Sequence, residues 1–271
     1  MSALSDLAAV ELRRMIAEKE ISPVELLSSC IERIEQVNGR VNAIVATCFD
    51  RAKAEAIRAE AAVIRGDELG TLHGLPIGIK DLALTKDLRT TYGSPQFADF
   101  VPEADERQVE AVRRAGAIVI GKTNTPEFGA GANTINPVYG ATGNPFDPQK
   151  TCAGSSGGSA VALATGMVPL ATGSDMGGSL RNPAAYCGIV GMRPSPGTVP
   201  DEQRQLGWSS LGVQGPMARS VDDMALLYQA MAAADARDPL AYPIDKAGLW
   251  PLEEAALGDL NVAVSDDLGF A

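Results

Sequence analysis

One histidine, His73, is all that the 271 residues contain. That scarcity excludes metal sites built from several imidazoles and leaves a Ser-His-Asp triad a single candidate for its base. Cysteine is sparse too. Cys30, Cys48, Cys152 and Cys187 lie far apart with no Cys-x-x-Cys pair, which argues against a zinc site or a dense disulfide framework and makes free thiols in a reducing, cytoplasmic compartment the expectation. Basic charge is in deficit: 23 Lys and Arg against 34 Asp and Glu give a net charge of −11. Direct nucleic-acid binding is therefore not expected, because a hold on phosphate backbones relies on clustered cations. No stretch reaches about 18 uninterrupted apolar residues, so no membrane span is expected. The opening MSALSDLAAVELRRMIAEKE carries charges inside its apolar pattern and no cleavage site, so no secretory leader is expected either. Repeats, low-complexity tracts and long charged tails are absent as well.

What is present suits one large α/β domain. The chain is 45% hydrophobic and 21% charged, ordinary for a globular protein with a substantial core. Ser22, Pro23 and Glu25 supply an N-cap hydroxyl, a first-turn proline and a capping-box carboxylate, so a helix begins there and is expected to run to Val37, before Asn38-Gly39. Residues 48–65, rich in Ala, Glu, Arg and Lys, read as a second helix with a solvated face. From Gly74 the pattern changes: a short β-rich run, a helix over 104–115 stopped by Gly116, then a buried strand over 117–120. A further helix is expected near Gly157 or Gly158, strands near 168–172 and 188–192, and a helix capped by Ser220 and reaching about Ala234. Helix then strand, repeated, implies a sheet with parallel elements. Residues 260–264 read as one more strand, after which the expected crossover is missing, so part of a larger fold is expected to be absent. The expected division of a single domain over 1–271 is a helical cover (1–70), a core (71–234), and a linker with the start of a C-terminal part (235–271).

Several residues carry chemistry. Residues 116–123, GAIVIGKT, satisfy the phosphate-loop pattern, but the four intervening residues are strand-like and Pro126 interrupts the helix that should follow, so a strand ending in a polar loop is the better reading. His73 precedes the turn-prone Gly74-Leu75-Pro76 and reads as structural or exposed. Lys80 ends an apolar stretch. A snorkelling lysine paired with Asp81 is the commoner fate of such a residue, and a desolvated neutral amine acting as a general base is the functional alternative. Residues 173–181, GSDMGGSLR, form a glycine turn whose successive N–H groups can converge on an anion, with the Ser179 hydroxyl at its end.

Taken together, GLPIGIKD (74–81), GKTNTPEFG (121–129), GSSGGS (154–159) and GSDMGGSLRNPAAYCGIVGMRPS (173–195) resemble the amidase signature family, over roughly residues 5–234. The resemblance implies a mixed, largely parallel central sheet flanked by helices, and a Ser-Ser-Lys triad. Ser179 would be the nucleophile, Ser155 the proton relay and Lys80 the neutral base, with the N–H groups of 176–179, around Met176, Gly177 and Gly178, forming the oxyanion hole. It implies a cis peptide at Gly154-Ser155, and supporting roles for Ser156, Asp175 and Arg181. It implies no metal and no organic cofactor. Asp81, next to the base, is expected to point to the other face of its strand. Three departures, Cys152-Ala153 for Pro-Gly, Met176 for Thr and Arg193 for Lys, leave the triad untouched, and Met176, beside the implied oxyanion hole, bears on substrate preference.

The expected activity is hydrolysis of a small-molecule amide to a carboxylate plus ammonia or an amine. The expected partners are that substrate and either a second copy or a missing C-terminal segment. One alternative is the A-type component of a glutamyl-tRNA amidotransferase, whose usual stretches M-D-E-F-A-M-G and S-L-D-Q-I-G-P read TPEFGAG (125–131) and SLGVQGP (210–216) here. Others are a non-catalytic binding or assembly protein with this fold, and a nucleotide enzyme using Lys122.

Overall fold

A computed structural model describes residues 3–253 except 205, and beyond them residues 256, 258, 260–265, 267 and 269. Its first helices are α1 (Ala9–Ala17), α2 (Pro23–Val41) and α3 (Phe49–Arg65). The capping box forms: Ser22 Oγ accepts from the Val24 and Glu25 N–H groups (both 3.1 Å), and Glu25 accepts from the Ser22 N–H (2.8 Å). Helix α2 runs four residues past the expected stop. Asn38 does not break it, because its side chain faces the returning chain, accepting from the Ala43 and Ile44 N–H groups (2.9 Å each) and donating to the Ile44 carbonyl (2.8 Å). Gly39 inside the helix costs about 1 kcal/mol, buried Val41 offsets it, and Asn42 ends the helix in the left-handed region (φ 53°).

The sheet has the order β1-β3-β2-β6-β8-β7. Its centre is parallel: β2 (Pro76–Lys80) lies between β3 (Ile118–Thr123) and β6 (Leu170–Asp175). Its flanks are antiparallel: β1 (Ile44–Thr47) pairs with β3, β8 (Val213–Ala218) with β6, and β7 (Val190–Gly191) with β8. A separate two-strand ribbon joins β4 (Ile135–Asn136) to β5 (Gly140–Ala141). Every residue of β2 and β3 is buried, as parallel strands covered on both faces require. The sequence reading passed over β1, set among helical residues, and β8, which contains Gly215 and Pro216. Gly215 is required there because a Cβ would come within 2.6 Å of the Met192 carbonyl oxygen.

Two apolar layers cover the sheet. One joins Ile77, Ile79 and Val119 to α1, to α4 (Arg107–Arg114) and to α7 (Val221–Met231); the other joins Ile118, Ile120 and Ala171 to α2, to α5 (Gly157–Ala164) and to α6 (Arg181–Cys187). Helix α5 is buried from Gly157 to Leu163. Its small residues allow this, since a Cβ on Gly158 would lie 2.2 Å from the Asn124 nitrogen.

Two expectations change, the strand at 260–264 and the length of the helix over 104–115. Residues 260–264 are irregular, and Leu260, Val262 and Val264 are exposed; an alternating apolar pattern makes a strand only where a neighbouring strand takes up its N–H and C=O groups. Residues 118–123 are interior strand, and Lys122 is buried with Nζ donating to the Ala83 carbonyl and Thr85 Oγ1 (2.9 Å), so no phosphate cradle exists at 116–123. The helix expected over 104–115 is confined to α4, and His73 donates from Nε2 to the Ala59 carbonyl (3.0 Å). The four cysteines are free thiols, and among the described residues no helix is long and apolar enough to cross a membrane.

The cap on α2 is testable. Ser22→Ala should lower unfolding free energy by about 1 kcal/mol, read as a lower urea midpoint at unchanged slope.

Candidate active site

Strand β2 ends at Lys80, on the sheet face that α5 covers. The side chain is 2% exposed. Its Nζ lies 2.7 Å from Ser155 Oγ, 2.9 Å from Ser156 Oγ and 2.9 Å from Ser174 Oγ, while its backbone N–H donates to Thr172 Oγ1 (3.1 Å). Burial pushes the lysine pKa down to about 7, with Asp175 pulling weakly the other way. A ring of hydroxyls suits a neutral amine, since each hydroxyl can donate to the nitrogen lone pair or accept from its N–H groups. Asp81 faces away. Its carboxylate accepts from the Thr91 N–H (3.2 Å) and hydroxyl (2.6 Å), on the sheet face that carries Lys122.

The serines arrive on the segment entering α5. Its Gly154-Ser155 peptide is cis. Ser155 is buried; Ser156 stands at the helix N-cap position, its N–H donating to the Ser179 carbonyl (3.1 Å) and its hydroxyl to the Ser174 carbonyl (3.3 Å). Ser159 lies within the helix, donating to the Thr172 carbonyl (2.8 Å). Ala153 has φ 59°, a left-handed conformation that glycine adopts without penalty. The departure at 152–153 therefore puts a methyl group where the backbone favours none.

Asp175, at the end of β6, organises the next loop. Its buried carboxylate accepts from the Gly178 N–H (2.9 Å), the Leu180 N–H (3.1 Å), Arg181 through two nitrogens (3.0 Å each) and Arg193 (3.1 Å). Burial alone would raise this carboxyl, but the Arg181 guanidinium and the two N–H groups outweigh it and hold it well below the usual carboxylate range. Arg193 also donates to the Asp175 carbonyl and to the carbonyls of Ser210 and Leu211. The loop so clamped carries Met176, 68% exposed, Gly177, and half-buried Ser179.

The structure thus gathers Lys80, Ser155, Ser156, Asp175, Arg181 and Ser179 at one end of the sheet. Among the described residues, no hydroxyl–hydroxyl hydrogen bond joins Ser179 to Ser155. Gly178 differs from expectation because its N–H is committed to Asp175, so the loop donors without an internal partner among the described residues are those of Met176, Gly177 and Ser179. Sequence reasoning missed Ser174, the third hydroxyl on Lys80, and the second arginine on Asp175. The signal for Ser174 was the two-residue hydroxyl alternation Thr172-x-Ser174 along β6, which sets both side chains on one face. Nothing local in the sequence marked Arg193 as reaching back across 18 residues to Asp175.

An amidase family model matches residues 25–271. The A-type component of the glutamyl-tRNA(Gln) amidotransferase of Anaeromyxobacter dehalogenans is 42% identical over 251 residues, covering 92% of this chain and 51% of that protein. Among solved structures, a bacterial aryl acylamidase of the amidase signature family superposes with a TM-score of 0.86 at 32% identity, covering 90% of this chain and 51% of the other. Peptide amidase from Stenotrophomonas maltophilia does so at 0.81 and 30% identity, covering 90% and 52%. The chain spans about half the length of the curated relatives it matches.

Burial of Lys80 sets a pH dependence. Its folded pKa of about 7 lies below the ordinary lysine value of 10.5, so below pH 7 both folded and unfolded chains are protonated there and the folded state bears the full cost of a buried charge. That cost fades as pH rises from 7 towards 10.5, where the folded chain alone is neutral. Relative to the parent, Lys80→Met should therefore be more stable at pH 6 than at pH 9, by urea midpoints at both pH values. A difference that does not change with pH would contradict the depressed pKa.

Proposed function

This chain belongs to the amidase family, and from that premise we propose that it cleaves a carboxylic amide through an acyl-enzyme on Ser179, with Ser155 as proton relay and Lys80 as general base. The observation that carries the proposal is the Lys80 amine, buried, surrounded by hydroxyls, 2.7 Å from Ser155 Oγ and poised near neutral pH. A base with a pKa near the working pH both exists unprotonated and accepts a proton readily.

In the proposed course, Ser179 Oγ bonds to the amide carbon. Its proton passes to Ser155 Oγ, whose own proton moves to Lys80 Nζ. The carbonyl oxygen becomes an oxyanion facing the N–H groups of Met176, Gly177 and Ser179, which the Asp175 clamp holds in place. Collapse breaks the C–N bond as the proton returns from Lys80 through Ser155 to the leaving nitrogen. Water then attacks the ester, with the same base and relay, and releases the carboxylate. Arg181 and Arg193 act through Asp175.

A second reading rests on the 42% identity to the A-type component of an amidotransferase: the same chemistry would release ammonia from glutamine for a partner. Glutamine hydrolysis, or co-purification with tRNA and a B-type component, would favour it over a stand-alone amidase.

A fluorophosphonate should label the wild-type chain and not Ser179→Ala; equal labelling of both would remove Ser179 as nucleophile. Lys80→Ala should slow labelling by about 10² to 10⁴-fold. The wild-type rate should climb with pH through about 7 as Lys80 loses its proton, then level off.

A further inference from the structure

Two turns of uncommon backbone meet beside Ser155. In residues 91–94 the Ser94 N–H donates to the Thr91 carbonyl (2.9 Å), and both central residues, Tyr92 and Gly93, have positive φ (53° and 66°). In residues 127–130 the Ala130 N–H donates to the Glu127 carbonyl (2.9 Å), with Phe128 and Gly129 at 52° and 70°. Positive φ at both centres is the type I′ pattern, whose first position usually goes to Asn, Asp or Gly. Here each turn puts an aromatic residue there. A left-handed non-glycine residue costs about 1–2 kcal/mol, and such strain persists where surrounding contacts enforce it, often beside functional sites.

The enforcing contacts are visible. The Phe128 N–H donates to the Tyr92 carbonyl (2.7 Å), tying one turn to the other. Phe97 stands between the two rings, edge-on to Tyr92 (5.1 Å) and to Phe128 (6.1 Å). The first turn is anchored by Asp81 through the Thr91 N–H and hydroxyl. The second reaches the site, since a Cβ on Gly129 would lie 3.6 Å from Ser155 Oγ. Phe128 nevertheless keeps 53% of its surface exposed. An exposed ring, held by a strained backbone next to the glycine that meets the relay serine, offers an aromatic ligand an edge-to-face or offset partner; a methyl-sized group has little surface to reach it.

We propose that Phe128 is a specificity-determining residue that receives the aromatic group of an arylamide substrate, and that Asp81 is the positioning residue that sets it through the paired turns. The proposal rests on the reading of Ser179, Ser155 and Lys80 for where the amide sits. It also gives Asp81, next to the base in sequence, work on the other face of the sheet.

The test is binding, which does not depend on turnover. In the full chain carrying Ser179→Ala, ligand-observed NMR titrations compare benzamide and acetanilide, which bear the ring on either side of the amide bond, with acetamide. Adding Phe128→Ala should weaken at least one ring-bearing amide about tenfold while shifting acetamide less than twofold. Equal shifts for all three, no shift, or no binding of either ring-bearing amide to the parent would overturn the subsite. Asp81→Asn, which keeps the shape and removes the charge, should reproduce the selective loss; Thr91→Ser, which keeps the hydroxyl, should retain the parent's preference. A lower melting temperature in Asp81→Asn with the benzamide-to-acetamide ratio unchanged would assign Asp81 to stability alone. Failure of the hydrolase reading shows separately, as labelling that ignores Ser179.

Discussion

Everything at the site depends on an amine held in a dry interior with hydroxyls as its nearest partners. A charged ammonium is costly there, and a carboxylate within contact would restore the charge. The fold meets both conditions with the central strand. Lys80 ends β2, the strand flanked on both sides by parallel neighbours, and its side chain enters the layer of α5, whose glycines and alanines let the serine-bearing segment close in. The carboxylate that follows it in sequence goes to the opposite face, where Asp81 meets Thr91 and the field of a second buried cation, Lys122. The sheet thus separates an amine of lowered pKa from a charge cluster one residue away.

Asp175 is the second organiser. It lies near enough to pull the Lys80 pKa upward, yet its charge is taken up by two guanidinium groups and two loop N–H groups. This pairing fixes the turn that displays Ser179. It also decides which loop donors lack an internal partner among the described residues, since the Gly178 N–H is taken by Asp175 while those of Met176, Gly177 and Ser179 are not. Arg193 extends the clamp to the carbonyls at 210 and 211, joining the loop after β6 to the segment leading into β8.

Much of the fold was legible because its signals are local. The Ser22 capping box, the apolar run of β3 and the Ser220 cap each act within a few residues of themselves. The readings that failed involved distant partners. Asn38-Gly39 read as a stop because its side-chain bonds to Ala43 and Ile44 exist only once the chain turns back. Residues 260–264 have a strand's alternation but no strand beside them among the described residues. Strand β8 was hidden because Gly215 and Pro216 suit it only against Met192 and β6.

By itself the sequence determined which residue types were available: one histidine, two lysines ending apolar runs, and serines set among glycines. Those facts left a Ser-His-Asp triad only His73 for its base and set the candidate serines of 154–159 and 173–181 in two short loops. Only the tertiary structure shows what each lysine faces. Lys80 and Lys122 are both buried and both depressed, but Lys80 faces three serine hydroxyls whereas Lys122 faces a carbonyl, a threonine and the field of Asp81 and Glu106. The physical reason is the pleat: side chains one residue apart leave a strand on opposite faces, and what each face meets is set by how strands and helices pack.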